Sequence, residues 1–224
     1  EALKVNIASN NTAVGNAAMI ANTTGHSNVG VGHSALVANT TGVQNVAVGM
    51  YTLDANTTGG YSTAIGYNAL THATTGGQNT AVGNNALGAV TTAEGNTALG
   101  NNAGASITTG TRNIAIGSSA YDASDTENDN CAVGFQALTT NTAGGNGNTA
   151  VGNYAGDAIT SGDYNTCLGM YGGSDLTSGT NCIMLGYQAG LSNSPAHTQN
   201  GTNRIVLGNN DITDCYIKVD WSVT

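Results

Sequence analysis

Apolar residues along this chain come in bursts of three or four, each cut off by a glycine. The burst reads Asn-Thr-Ala-Val-Gly at 11–15, 79–83 and 148–152, Asn-Val-Ala-Val-Gly at 45–49 and Asn-Ile-Ala-Ile-Gly at 113–117. The closing glycines are Gly15, Gly32, Gly49, Gly66, Gly83, Gly100, Gly117, Gly134, Gly152, Gly169, Gly186 and Gly208, spaced by 17 residues seven times and then by 18, 17, 17 and 22. A second marker, a Thr-Thr-Gly-like polar turn, ends at Gly25, Gly42, Gly59, Gly76, Gly110, Gly144, Gly162 and Gly179. Apolar pieces this short and bounded by glycine are strands, not helices, and helical repeats run to about 30 residues or more. The pattern predicts an all-β fold, a parallel β-solenoid of about twelve 17-residue coils. Each coil is a short strand, a corner glycine, a second short segment and a polar turn.

Stacking sets like residues over like residues. The asparagines that open each burst (Asn11, Asn28, Asn45, Asn79, Asn96, Asn113, Asn130, Asn148 and Asn165) are expected to form a ladder of side-chain amides from coil to coil. Within Thr-Ala-Val, alternation puts Ala on the face opposite Thr and Val. The period does not decide which face is interior. We assign the interior to Val14, Val31, Val48, Ile65, Val82, Leu99, Ile116, Val133, Val151 and Leu168. The row Ala13, Ala47, Ala64, Ala81, Ala98, Ala115, Ala132 and Ala150 is then expected to face a neighbouring chain. A stack this thin is short of buried apolar area, so packing against sister chains is expected to supply it.

The pattern drifts toward the C-terminus. The Ala position becomes Cys167 and Met184, and a leucine position becomes Gly156, Gly173 and Gly190, where the axis widens or its packing partner changes. The division expected is residues 1–190 as repeat solenoid and 191–224 as loop, last coil and C-terminal strand. The loop, 192–201, holds the only proline, Pro195. In the tail, Cys215, Ile217, Val219, Trp221 and Val223 alternate with polar residues, as in a half-buried strand.

Composition narrows the function. Of 224 residues 8% are charged, so Lys4, Arg112, Arg204 and Lys218 cannot build the basic footprint of a nucleic-acid binder. No apolar run approaches the roughly 20 residues needed to span a bilayer. The start at Glu1 is not a signal peptide, and we expect a fragment or processed form. Cysteines 131, 167, 182 and 215 show no CxxC pair and are expected as small buried hydrophobes.

Little else points to chemistry. Asp122, Asp125, Glu127 and Asp129 crowd one turn that could hold Ca²⁺, although EF-hand spacing is absent. A solvated acidic turn is the plainer reading. His26, His33, His72 and His197 have no ligand spacing and are expected in solvated loops. Asn22, Asn39 and Asn56 each open Asn-Thr-Thr, which matches both a glycosylation acceptor and the repeat turn. Tyr51, Tyr67, Phe135, Tyr154, Tyr171 and Tyr187 follow the motif glycines and suit corner packing, with an exposed subset able to stack on sugars. No catalytic residue, metal or cofactor is predicted.

Two resemblances carry functional implications. The Asn-x-Ala-Val-Gly coil resembles the left-handed β-roll heads of trimeric autotransporter adhesins, with their Asn-Ser-Val-Ala-Ile-Gly repeats, over nearly the whole chain. Residues 203–224, from Asn203-Arg-Ile-Val-Leu-Gly to Trp221-Ser-Val-Thr224, resemble the segment preceding the intramolecular chaperone of endosialidase-type phage tail fibres and tailspikes. In that family the chaperone trimerises the chain and cuts itself off before a serine. The resemblance implies left-handed coils and a homotrimeric extracellular fibre with a processed end at Thr224. It would be a virion tail fibre or contractile-injection fibre that binds a host cell-surface glycan or protein. The alternatives are a bacterial adhesin head, an ice-binding solenoid, for which the Thr pairs in the turns are misplaced, and a polysaccharide-degrading solenoid. The last would need clustered carboxylates, which only the 122–129 turn offers.

Overall fold

The computed structural model describes residues 1–141, 144–191 and 200–214. Among these described residues twelve strands of three residues, from β1 (Thr12–Val14) to β12 (Ile205–Leu207), make one parallel sheet in which each strand pairs with its neighbours in sequence. The chain is therefore an all-β parallel solenoid of about twelve turns. Register never slips: Ala47 lies beside Ala64, and across the 22-residue step Met184 still lies beside Val206. The 18-residue step is located by two hydrogen bonds. Asn130 Nδ2 donates to the Gly145 carbonyl 15 residues on, where Asn113 reaches 14 residues on to Glu127. Asn141 Nδ2 reaches Gly145 four residues on, where Asn22 reaches three to Gly25. The extra residue thus falls between Asn141 and Gly145. The loop expected around Pro195, the strand expected at 215–223, Cys215, His197 and Thr224 lie outside the described residues.

The two faces are the reverse of the assignment made from sequence. Ala47, Ala64, Ala81, Ala98, Ala115, Ala132 and Ala150 are buried, whereas Val14, Ile65, Leu99 and Leu168 are 40–57% exposed and Val31, Val48, Val82, Ile116, Val133 and Val151 are half-exposed. Volume explains the inversion. The coil is narrow, and its lumen is filled from the segment after the corner by Met19, Leu36, Leu53, Leu70, Leu87 and Leu138, all buried. Opposite a leucine only a methyl fits, because interiors fill to crystal-like density. Gly30 shows the limit: a Cβ there would lie 3.2 Å from Met19 Cγ.

Three coils solve the same volume problem differently. Gly104, Gly156 and Gly173 stand where other coils have leucine, and Ile107, Ile159 and Leu176, three residues downstream, are buried in their place. At that downstream site the leucine coils carry Asn22, Asn39, Asn56, Ala73, Val90 or Asn141. The packing partner changes while the sheet continues unbroken.

Corners are tight. Gly66 has φ +135°, and a Cβ on it would run into the carbonyl oxygen of Gly83 directly above, so the glycine column is imposed by coil-to-coil stacking. Past it, Tyr51 and Leu53 both take left-handed φ (58° and 48°), and equivalent residues do so in coil after coil. This conformation costs about 1–2 kcal/mol per residue for non-glycine side chains. Hydrogen bonds between coils hold it, for example Tyr51 N to His33 O at 3.0 Å and Leu53 N to Ala69 O at 3.1 Å.

Candidate binding surfaces

The buried polar residues belong to the scaffold. In the asparagine row that opens each burst, Oδ1 accepts the backbone N–H of the equivalent residue one coil on. Asn28 N to Asn11 Oδ1 and Asn45 N to Asn28 Oδ1 are both 2.9 Å. Nδ2 donates across the turn, as from Asn28 to Gly42 O at 2.8 Å. Ser62 and Cys182 stand in this row without breaking it, because each still donates its N–H to the preceding asparagine. Amide-to-amide contact appears in a second row. Asn39 Nδ2 donates to Asn22 Oδ1 at 2.6 Å, and Asn56 Nδ2 to Asn39 Oδ1 at 2.7 Å. Asn22, Asn39 and Asn56 are fully buried, so the three Asn-Thr-Thr sites are interior and closed to a glycosyltransferase. The following threonines hold the turn: Thr40 Oγ1 donates to Thr57 O at 3.1 Å and Thr57 Oγ1 to Thr74 O at 3.1 Å.

The acidic turn is self-contained. Glu127 is buried, and its Oε2 accepts from Ser124 Oγ (2.9 Å) and from the amides of Asp125 and Thr126 (both 3.1 Å), while Oε1 accepts the Gly144 amide at 3.0 Å. Burial pushes the carboxyl up, but hydrogen bonds from its own backbone N–H, from Ser124 Oγ and from the Thr126 and Asp125 amides outweigh it and hold the pKa below the usual glutamate value. Asp129 is engaged elsewhere, in a two-pronged pair with Arg112 (2.6 and 2.8 Å). Among the described residues no group of three His, Cys, Asp or Glu side chains is placed to hold a metal ion. Cys131 is half-buried, Cys167 and Cys182 are buried, and all three are free thiols. His26, His33 and His72 are exposed, and no metal-ligating group forms around them among the described residues. The acidic turn, the described cysteines and the Asn-Thr-Thr asparagines are thus spent on packing and turns, as in a structural repeat fold.

Two surface features remain. One is the outer face of the sheet, a row running from Val14 through Leu99 to Leu207 and beside it a row of Thr, Val and Ile, with Cys131 among them, from Thr12 to Ile205. Neither row contains a charged residue. The other is a ridge formed by the two residues after each motif glycine. His33, Tyr51 and Tyr67 meet edge to face there (centroids 5.4 and 6.1 Å apart). Further along, Phe135 meets Tyr154 edge to face at 5.3 Å, and Tyr154 stacks flat on Tyr171 at 4.9 Å. Asn84, Asn101, Asn85 and Asn102 lie between the two groups, joined coil to coil by Asn101 Nδ2 to Asn84 Oδ1 (3.4 Å) and Asn85 Nδ2 to Asn102 Oδ1 (3.0 Å). A cleft of about 490 Å³ opens at the last coils between Leu185, Tyr187, Leu207 and Ile212, with Asp214, the last described residue before the tail, on its rim.

Tyr121 was not legible as a core residue. It replaces the lumen leucine of its coil, is fully buried, and its hydroxyl accepts Asn130 Nδ2 at 2.5 Å. Its position four residues after Gly117, in phase with Leu53 and Leu70, was the available signal.

These features define a β-solenoid repeat protein with a charge-free sheet face and an aromatic ridge. No protein-family model, curated protein or solved structure matches the chain. No helix among the described residues is long and apolar enough to cross a membrane.

Proposed function

We propose that this chain is the shaft and receptor-binding segment of a homotrimeric extracellular fibre of the phage tail-fibre type, which attaches to a host cell surface. The observation that carries this reading is the outer sheet face. Val14, Ile65, Leu99, Leu168, Leu185 and Leu207 are 40–57% exposed in a single continuous row. At about 4.8 Å per coil, twelve coils carry that row for roughly 55 Å. Contiguous apolar surface on this scale marks an interface, and identical rows on sister chains present matching surfaces around a common axis. The first three-residue position of each strand enlarges the same face, and the buried Ala row leaves it flat. In this reading residues 1–190 are the shaft, and 203–224 carry the likeness to the segment that precedes a self-cleaving chaperone in tail fibres.

The test is native mass by light scattering on protein expressed with its natural downstream sequence. Three times the 22.2 kDa chain, with a new end at Thr224, is the expected result. A stable monomer overturns the fibre reading. The adhesin-head reading shares the trimer and parts from this one if a membrane-anchor domain continues the same chain.

One observation favours a reading of another class. Thr63, Thr80 and Thr97 line up on the outer face, each two residues from an aliphatic neighbour, Ile65, Val82 or Leu99. Outward threonine in register is what an ice-binding solenoid requires, and the turns are not its only location. Val29, Val46, Ile114, Cys131, Ile183 and Ile205 interrupt the row elsewhere, which weakens this alternative. Thermal hysteresis in the purified protein would establish it, and none is expected.

A further inference from the structure

We infer that the ridge after the motif glycines is a binding track for an uncharged, linear polysaccharide lying parallel to the solenoid axis. This deepens the receptor-binding reading and depends on it only for its biological setting. Three observations converge on it. Two rings are arranged as platforms: Tyr67 and Phe135 are 46% and 41% exposed, each held by a ring contact to a half-buried partner, Tyr51 and Tyr154, the latter stacked in turn on Tyr171, and Tyr187 adds a 54% exposed ring further along. Rings fixed this way present an apolar face at little further entropic cost, which suits them to the C–H face of a sugar.

The second observation is the amide block between the platforms. Asn101 Nδ2 is used in its contact with Asn84, and both side chains are exposed. An amide offers donor and acceptor side by side, which matches neighbouring sugar hydroxyls. From the Tyr51 coil to the Tyr154 coil is six coils, about 29 Å at 4.8 Å each. A track of that length with aromatic ends and an amide middle fits an extended chain better than a single compact ligand.

The third is charge. The two positions after each of the twelve motif glycines, from Asn16 and Ala17 to Asn209 and Asn210, include no Asp, Glu, Lys or Arg in a chain of net charge −9. No lysine or arginine stands on the ridge to pair with a uronate or sulfate, and the net charge repels an acidic polymer. The occupant is therefore neutral.

The experiment is affinity electrophoresis of the full chain in native gels containing mannan, dextran, galactan or β-glucan, with alginate and polygalacturonate as acidic counterparts. Retardation is expected with at least one neutral polymer and with neither acidic one. The double variant Tyr67→Ala, Phe135→Ala is expected to lose about tenfold in apparent affinity, equivalent to 1.4 kcal/mol. The control pair Tyr61→Ala, Tyr164→Ala removes two exposed rings that lie off the ridge (62% and 67% exposed) and should change nothing. Retardation only by acidic polymers, by none of the panel, or equally reduced by the control pair overturns the proposal. Light scattering on the same samples separates the two readings. A trimer that no neutral polymer retards defeats the track alone, and a monomer retarded by a neutral polymer defeats the fibre alone.

Discussion

Asn22 Oδ1 accepts a 2.6 Å hydrogen bond from Asn39 Nδ2 with both side chains wholly out of solvent, and the same bond repeats from Asn56 to Asn39. The series stops there: Asn56 Oδ1 is buried with no partner, because the next coil has Ala73 in that place. Ala73→Asn should extend the ladder, donating to Asn56 Oδ1 and adding about 1 kcal/mol. Asn39→Ala should cost about 2 kcal/mol, since Asn22 Oδ1 is then buried unpaired. Chemical denaturation of the two variants reads opposite signs if the ladder bears on stability. A destabilised Ala73→Asn would mean that the lumen there is too small for the amide.

The exchange of Leu for Gly and Asn for Ile makes a second, sharper expectation. A Cβ on Gly104 would sit 2.9 Å from Leu87 Cδ2 and 3.0 Å from Ile107 Cδ1, so Gly104→Leu alone should overpack the lumen. The expected cost is about 1–3 kcal/mol. Gly104 has φ +58°, close to the +51° of Leu87 one coil before, so the backbone already accepts leucine. Pairing the change with Ile107→Asn recreates the leucine-type coil and should recover most of the loss. The measurement is a double-mutant cycle, and a coupling energy near zero would show that the two sites pack independently.

The inverted faces give a third. Ala81 is fully buried in β5 (Thr80–Val82), and Val82 beside it is half-exposed on the outer face. Ala81→Leu should unfold or severely destabilise the chain, because the lumen opposite it is already filled by buried leucines such as Leu70 and Leu87. Val82→Asp should leave the coil folded by circular dichroism and, if the proposed fibre forms, shift its native mass from trimer to monomer. A trimer that tolerates Val82→Asp and Leu99→Asp together would place the subunit interface somewhere else.

The order of the coils was legible because spacing alone encodes it: a glycine every 17 residues cannot be shared by any helical repeat. The faces were not, because Ala and Val are both apolar and the choice between them is one of volume. Only the lumen leucines, on the other side of the coil, decide it. Asn22 and its partners were read as turn residues for a related reason, since Asn-Thr-Thr-Gly is a good turn whether or not the amide points inward. The ridge was visible as residues one or two places past a glycine, but the pairing of its rings depends on which coils adjoin. Tyr51 and Tyr67 are 16 residues apart in sequence and 6.1 Å apart in space.

Two carboxylates make opposite demands on pH. Glu127 has its folded pKa lowered, so the stability it contributes is present above its unfolded value of 4.5 and is lost as pH falls through the lower folded value. Asp157 is the reverse: burial first, then the nearby charge of Asp175, pushes it up to about 6, and its Oδ1 is buried without a partner. A raised pKa favours the protonated folded state, so that contribution is full below the unfolded value of 3.8 and is lost as pH rises through about 6. Asp157→Asn should therefore raise the melting temperature at pH 7 and have little effect near pH 3. Glu127→Gln should lower it at pH 7, by removing a carboxylate to which three amides and a hydroxyl donate, and should flatten the fall below pH 4.5. Thermal melts of both variants from pH 3 to pH 8 check the pair. If Asp157→Asn gave the same gain at every pH, the effect would be one of packing, and the charge of Asp157 would have no part in it.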